Sequence, residues 1–118
     1  MRILVVDRDS TVADACEKAF QNEHEVVTAR SGFHALELIA IGRAFDLVLC
    51  ELSLPDITGP EVHRRLMGSS PRTASKIVFI TDDAKASHTF LQTVPNIFLE
   101  KPLAATALRQ VLRDVTLK

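Results

Sequence analysis

Short apolar runs alternate with stretches of helical periodicity along the whole chain. Ile3–Val6, Glu25–Ala29, Leu47–Cys50, Ile77–Ile80 and Ile97–Leu99 read as strands. The run Leu47-Val48-Leu49-Cys50 has no apolar/polar alternation, so both of its faces are covered, as in a parallel sheet flanked by helices. After the first strand, Val12, Ala15, Cys16, Ala19 and Phe20 fall on one helical face. Leu36, Ile39 and Ala40 repeat that spacing in a second helix, which Gly42 ends. Thr58-Gly59-Pro60-Glu61 has the form of a capping box with proline in the first turn, and the helix it starts carries Val62 and Leu66 inward. A fourth helix is expected from Ala84 to about Val94, burying Phe90, Leu91 and Val94. A last one presents Leu108, Val111, Leu112 and Val115. The stretch Gly68–Ser75 reads as a surface loop.

These are five βα units whose short connections favour right-handed crossovers. The expected architecture is α/β: a five-stranded parallel sheet in the order 2-1-3-4-5 with helices on both faces. At 118 residues the chain is expected to be one domain.

Charge and composition narrow the function classes. A formal net charge of −1 gives no global field to recruit nucleic acid or an anionic membrane. The basic cluster His63-Arg64-Arg65, with Arg72 and Lys76, reads as a solvated face. Cys16 and Cys50 lie in apolar runs without metal spacing and read as buried free thiols of a cytosolic protein. His24, His34, His63 and His88 lack metal-ligand spacing and are expected at the surface. No signal peptide and no membrane-length apolar run is present in the sequence, so a cytoplasmic location is expected.

Chemistry-bearing residues gather at the strand ends. The first strand is followed by Asp7-Arg8-Asp9, the third by Glu51, the fourth by Thr81-Asp82-Asp83, and the fifth by Glu100-Lys101-Pro102. α/β sheets bind ligands outside the carboxyl ends of their strands. One cleft is therefore expected to gather Asp7, Glu51, Thr81 and Lys101. Carboxylates, a hydroxyl and a lysine together suit Mg²⁺-assisted phosphoryl chemistry.

Ile3-Leu4-Val5-Val6-Asp7, Asp46 to Glu51 with Leu54-Pro55 and Gly59, Ile80-Thr81, and Phe98-Leu99-Glu100-Lys101-Pro102 resemble the receiver domains of two-component signalling, in order and along the whole chain. The resemblance implies the flavodoxin-like receiver fold. It also implies phosphoryl transfer from a histidine kinase to an aspartate at the end of the third strand, with Mg²⁺ on two adjacent acids after the first. Matched residue by residue, Asp7 is the first acid, Thr81 and Phe98 are the switch positions, Lys101 contacts the phosphoryl group, and the Lys101–Pro102 peptide is expected to be cis.

Two positions depart from that pattern at the chemistry. Glu51 stands where the acceptor aspartate belongs, and Arg8 stands where the second metal-binding acid belongs. Asp82 is a third departure, at a spot usually held by a small residue. Asp7 and Glu51 are balanced either by Arg8 and Lys101 without metal, or by a cation if Arg8 points to solvent and Asp9 turns in. If Mg²⁺ binds, Asp7, Glu51 and the Ser53 backbone are the expected ligands. The extra methylene of glutamate moves its carboxylate by about one C–C bond, ~1.5 Å, and a displacement of that size costs phosphoryl transfer ~100-fold. The expectation is a degenerate receiver that acts through protein–protein interaction, the alternative being a receiver phosphorylated at an unusual site.

A reading from another class is also available. Asp7-Arg8-Asp9-Ser10-Thr11 after an apolar strand is similar to the nucleophile motif of haloacid-dehalogenase-type phosphatases, with Asp7 as nucleophile. It leaves Glu51, Pro55 and Gly59 unexplained, and no acidic pair follows Lys101.

Receivers communicate through the face made by the fourth helix, the fifth strand and the last helix, or through the first helix. Here His88, Thr89 and Gln92 are contact candidates. The compact interval from Thr81 to Lys101 resembles receivers attached to hybrid sensor kinases. Expected partners are a histidine kinase or another signalling protein, including another domain of the same polypeptide, or a second copy. Direct contact with nucleic acid or membrane is not expected. Phe98 lacks a hydroxyl, so switching there would work through ring burial.

Overall fold

The computed structural model describes residues 1–42 and 44–116. Five strands, β1 (Arg2–Val6), β2 (Glu25–Ala29), β3 (Leu47–Glu51), β4 (Ile77–Thr81) and β5 (Phe98–Glu100), form one parallel sheet in the order β2-β1-β3-β4-β5. The helices are α1 (Thr11–Phe20), α2 (Gly32–Ala40), α3 (Gly59–Ser69), α4 (Pro71–Ala74), α5 (His88–Leu91) and α6 (Ala105–Thr116). The expected order and the parallel pairing are both observed.

Alternation along the strands explains how two helical layers are held. Successive side chains point to opposite faces, so Ile3 and Val5 pack with Val12, Cys16, Phe20, Leu108 and Val111 under α1 and α6. Leu4 and Val6 face the other way, with Ala35, Val62, Leu66, Ala74 and Leu91. Both cysteines are buried and free, and burial pushes their thiols up to about 12.

Local signals end the helices where they stop. Gln21 caps α1 in the left-handed region, and Gly42, at φ +88°, turns the chain after α2. Thr58 accepts the Glu61 N–H at the start of α3, as the capping box predicts. The Glu61 carboxylate instead pairs with Arg64 and Arg65.

Four expectations need correction. The fourth predicted helix, Ala84 to Val94, is reduced to His88–Leu91. Asp83 Oδ1 accepts the N–H groups of Lys85 and Ala86, and Glu100 Oε2 accepts that of Ala84, so the stretch before His88 is a side-chain-capped turn that does not run on as regular helix into α5. Leu91 is buried, while Phe90 and Val94 are half-buried. The predicted loop over 68–75 contains the end of α3 and all of α4, with Pro71 in the first turn and Ala74 in the core. In α2, Gly32 and Ala35 are the buried residues and Ala40 is exposed. Of the histidines expected at the surface, His34 and His88 are exposed, whereas His24 and His63 are half-buried. His63 packs edge-on against Phe79, and burial lowers its pKa.

Candidate functional site

The carboxyl ends of β1, β3 and β4 converge, and each delivers a buried polar residue to one place. Asp7, Glu51 and Thr81 are the buried polar or charged residues of the described chain, against a core that is otherwise apolar. Burying a charge without partners is costly, so their partners define the site.

Asp7 is held from both sides. Its Oδ2 accepts the Val12 N–H at 2.8 Å and its Oδ1 accepts the Asp9 N–H at 3.2 Å, which ties the end of β1 to the first turn of α1. Asp9 Oδ1 accepts the Thr11 N–H at 2.9 Å, and this bond holds the Asp9 carboxyl below the usual range. This local turn directs Asp9 back towards Asp7. Oxygens of Asp7, Asp9 and Glu51 lie within 4.8 Å of one another. Arg8 is exposed and makes no ion pair among the described residues. Arg8 therefore stays out of the cluster, while Asp9, itself exposed, brings a carboxylate oxygen to it.

Glu51 closes β3 and is 5% exposed. Its Oε2 accepts a hydrogen bond from Lys101 Nζ at 3.0 Å, whereas its buried Oε1 has no hydrogen-bond partner among the described residues. The Lys101 backbone N–H is bonded to the Thr81 carbonyl at 2.9 Å, which fixes the lysine beside β4. Asp82 Oδ1 stands 3.9 Å from the same ammonium but is mostly in solvent. The Lys101–Pro102 peptide is cis, as the resemblance implied. Ser53, the expected backbone ligand, lies two residues beyond Glu51 and is exposed.

The loop after Glu51 returns tightly. The Gly59 N–H bonds the Leu52 carbonyl at 2.9 Å, and a Cβ on Gly59 would stand 2.4 Å from the Glu51 carbonyl oxygen. Only glycine allows that approach. Asp56, in the same loop, accepts the N–H groups of Gly32 and Phe33 at 2.8 Å each and so caps α2.

Thr81 Oγ1 accepts the Asp83 N–H at 3.1 Å and lies 3.2 Å from Ser87 Oγ. Phe98 is 42% exposed and borders a cavity of about 320 Å³ with Ala84, Lys85, His88, Leu91 and Gln92. The strand-end rule thus brought together Asp7, Glu51, Thr81 and Lys101, and Asp9 stands beside them, as the sequence's alternative reading had it. Ser87 and Asp56 were missed. An acid directly after Pro55 was the available signal for Asp56, and nothing in the sequence marks Ser87.

The donor set suits a hard divalent cation. Three carboxylates meet one ammonium, and an orphaned, buried carboxylate oxygen lies among them. The residues present therefore fit Mg²⁺, although position 8 contributes nothing.

Residues 3–113 match the family described as the response regulator receiver domain. Response regulator MprA of Mycobacterium tuberculosis is 31% identical over 114 residues, covering 96% of this chain and 49% of its own length. The chain thus spans about half the length of the curated relatives it matches. A putative response regulator from Chloroflexus aurantiacus superposes with a TM-score of 0.83 at 28% identity, covering 99% of this chain and 98% of that one. Response regulator protein TrrA from Thermotoga maritima, solved in complex with Mg(2+)-BeF, has the same fold at TM-score 0.81 and 24% identity, each chain being covered over 97%.

Proposed function

The chain belongs to the response regulator receiver family, and from that premise we propose that it is a degenerate receiver, one that signals by binding other proteins and does not accept a phosphoryl group at Glu51. The observation that carries this reading is the pair Glu51–Lys101, 3.0 Å apart with both side chains largely withdrawn from water. In the family pattern the lysine serves the phosphoryl group. Here a carboxylate of the chain itself occupies it, one methylene longer than aspartate. In-line transfer depends on placing the nucleophile within a fraction of an ångström, and the second metal acid is replaced by an exposed Arg8.

Asp7, Asp9 and Glu51 would hold a divalent cation, with the Ser53 carbonyl as a further ligand, and a bound Mg²⁺ would supply charge neutralisation there. Asp7 positions the end of β1, Lys101 fixes the Glu51 rotamer, and the Thr81 hydroxyl fastens the β4–α5 loop through Asp83 and Ser87. Phe98, with its exposed ring, belongs to the α5–β5–α6 face through which a partner would read the domain. Partners in keeping with the family are a histidine kinase or another signalling protein, another domain of the same polypeptide, or a second copy. The cytoplasm suits them, and no helix among the described residues is long and apolar enough to cross a membrane. Direct contact with nucleic acid is not part of this reading. Enzymatic turnover is not part of it either. A phosphatase built on Asp7 as nucleophile is disfavoured because it leaves Glu51, Pro55 and Gly59 unexplained and no acidic pair follows Lys101.

The test is intact mass after incubation with Mg²⁺ and acetyl phosphate. The proposal expects an unchanged mass, and a stable gain of one phosphoryl group contradicts it.

A further inference from the structure

The basic stretch along α3 and α4 does more than meet solvent. Residues 59–76 carry four cations, Arg64, Arg65, Arg72 and Lys76, against one acid, Glu61, a net charge of +3 in a chain whose total is −1. Glu61 is committed to Arg64 and Arg65, whereas Arg72 and Lys76 have no ion pair among the described residues. Two cavities lie along this stretch. The larger, about 500 Å³, opens between α2 and α3, with apolar walls from Leu36, Ile39, Ala40 and Leu66 and polar ones from Arg65, Ser69 and Ser70. The smaller, about 250 Å³, is lined by Ala44 and the buried Phe45 together with Arg72, Thr73 and Lys76. Asp46 is the acid at its edge, and its Oδ2 accepts the Arg2 N–H at 2.8 Å. A hydroxyl bond of 2.9 Å from Ser70 to Thr73 joins the wall of one cavity to the wall of the other.

We propose that this α2–α3–α4 face is a docking groove for an acidic amphipathic segment of a partner protein. Its apolar side chains fill the cavities while its carboxylates meet Arg72 and Lys76. The inference rests on the reading of the chain as a partner-binding domain, and it gives that reading a surface separate from the α5–β5–α6 face. The chemistry of the walls selects the partner. A phosphate backbone would use the cations but leave the apolar walls of Leu36, Ile39 and Leu66 in water. A neutral apolar segment would cover the walls and leave the two cations without a counter-charge. A helix with acids flanking an apolar ridge satisfies both, as helices laid into a groove between two others do.

The groove is tied to the candidate site. Arg65 stacks over the half-exposed ring of Phe33, 5.2 Å from its centroid. The N–H groups of Gly32 and Phe33 are the two that Asp56 accepts, in the loop that follows Glu51. Gly32 lies so close to the same loop that a Cβ would stand 2.4 Å from Ile57 Cγ1. A partner that engages the α2–α3 groove therefore bears on the loop that begins at Glu51.

The probe is a fluorescein-labelled synthetic helical peptide with leucines along one face and glutamates flanking them, titrated with the whole chain and followed by fluorescence polarisation. A second peptide has lysine in place of every glutamate. Saturable micromolar binding is expected of the acidic peptide alone, weakening as salt rises. Backbone amide shifts should centre on residues 36–40 and 69–73 and extend to Gly32 and Phe33. Arg72→Glu with Lys76→Glu should weaken binding at least about tenfold, because like charges then face the peptide. Ala40 is exposed on the groove and outside the core. Ala40→Glu should therefore fold and weaken binding about fivefold, while Ala40→Lys should tighten it. Lys18→Glu, the same reversal on the exposed face of α1 across the sheet, should change it by less than about twofold. Thermal melts check that each variant folds.

No saturable binding of the acidic peptide, or equal binding of its lysine counterpart, overturns the proposal. So does Ala40→Glu binding like wild type, or a set of amide shifts centred on the α5–β5–α6 face. Binding to phosphatidylserine vesicles without binding to the peptide would assign the cations to a membrane surface and overturn it as well. The phosphodonor mass experiment separates this from the parent reading. An unphosphorylated protein that binds no acidic peptide sinks the inference alone, whereas a phosphorylated Glu51 sinks the degenerate-receiver reading and leaves the peptide titration to judge the groove.

Discussion

Lys101 and Glu51, fifty residues apart in sequence, meet at 3.0 Å where β3 and β5 end, and their side chains are 15% and 6% exposed. The pair joins the third strand to the fifth across β4, so it bears on both stability and signalling state. Removing one member of a buried pair leaves an unpaired charge. Lys101→Met is expected to cost about 3 kcal/mol in urea denaturation without added cation. Glu51→Leu combined with Lys101→Met should recover most of that loss. Equal loss in the single and double variants would mean that the ion pair is not what the mutation removes.

Asp56 gives a pH-dependent prediction. Burial acts to raise its pKa, but N–H bonds from Phe33, Ile57 and Gly32 outweigh it and bring the group from 3.8 down to about 2. A folded-state pKa below the unfolded one adds stability above the unfolded value, and that stability is lost as pH falls through the folded value. Asp56→Ala should destabilise by about 1 kcal/mol at neutral pH, as loss of a helix cap does. The gap to wild type should stay constant down to about pH 4 and narrow between there and pH 2. A gap that widens on acidification would contradict the assignment.

The two thiols offer a simple probe of core closure. With pKa values pushed up to about 12 by burial, Cys16 and Cys50 carry almost no thiolate at pH 8. Ellman's reagent should label neither in the folded protein and both after denaturation. Rapid labelling under native conditions would place one of them outside the core.

Gly59 tests the loop that follows Glu51. A Cβ there would meet the Glu51 carbonyl at 2.4 Å, and backbone cannot yield as a flexible side chain does. Gly59→Ala should cost about 2–3 kcal/mol in chemical denaturation and shift the amide resonances of Glu51 and Leu52. Gly68→Ala, with open space around its Cβ position and a helical site, is the control and should be neutral or slightly stabilising.

The strands were legible because a parallel sheet covered on both faces leaves an unbroken apolar signature, as Leu47–Cys50 does. The site followed from topology, since residues after four such strands must share one edge. What stayed hidden was set by local hydrogen bonds. The stretch from Ala84 to Ser87 is a turn held by Asp83 and Glu100 and not regular helix, which periodicity alone does not register. The opposite orientations of Arg8 and Asp9 depend on the Thr11 N–H bond in a turn, where neither strand nor helix periodicity applies. Ser70 and Pro71 start α4 inside a stretch whose composition looks like loop.

The most direct test of the central claim restores the family residues. Wild type, Glu51→Asp and the double variant Glu51→Asp with Arg8→Asp are incubated with Mg²⁺ and acetyl phosphate, and intact mass is recorded. The account predicts no added mass on wild type and one phosphoryl group on the double variant, mapped to residue 51. A phosphoryl group on wild-type Glu51 would contradict it.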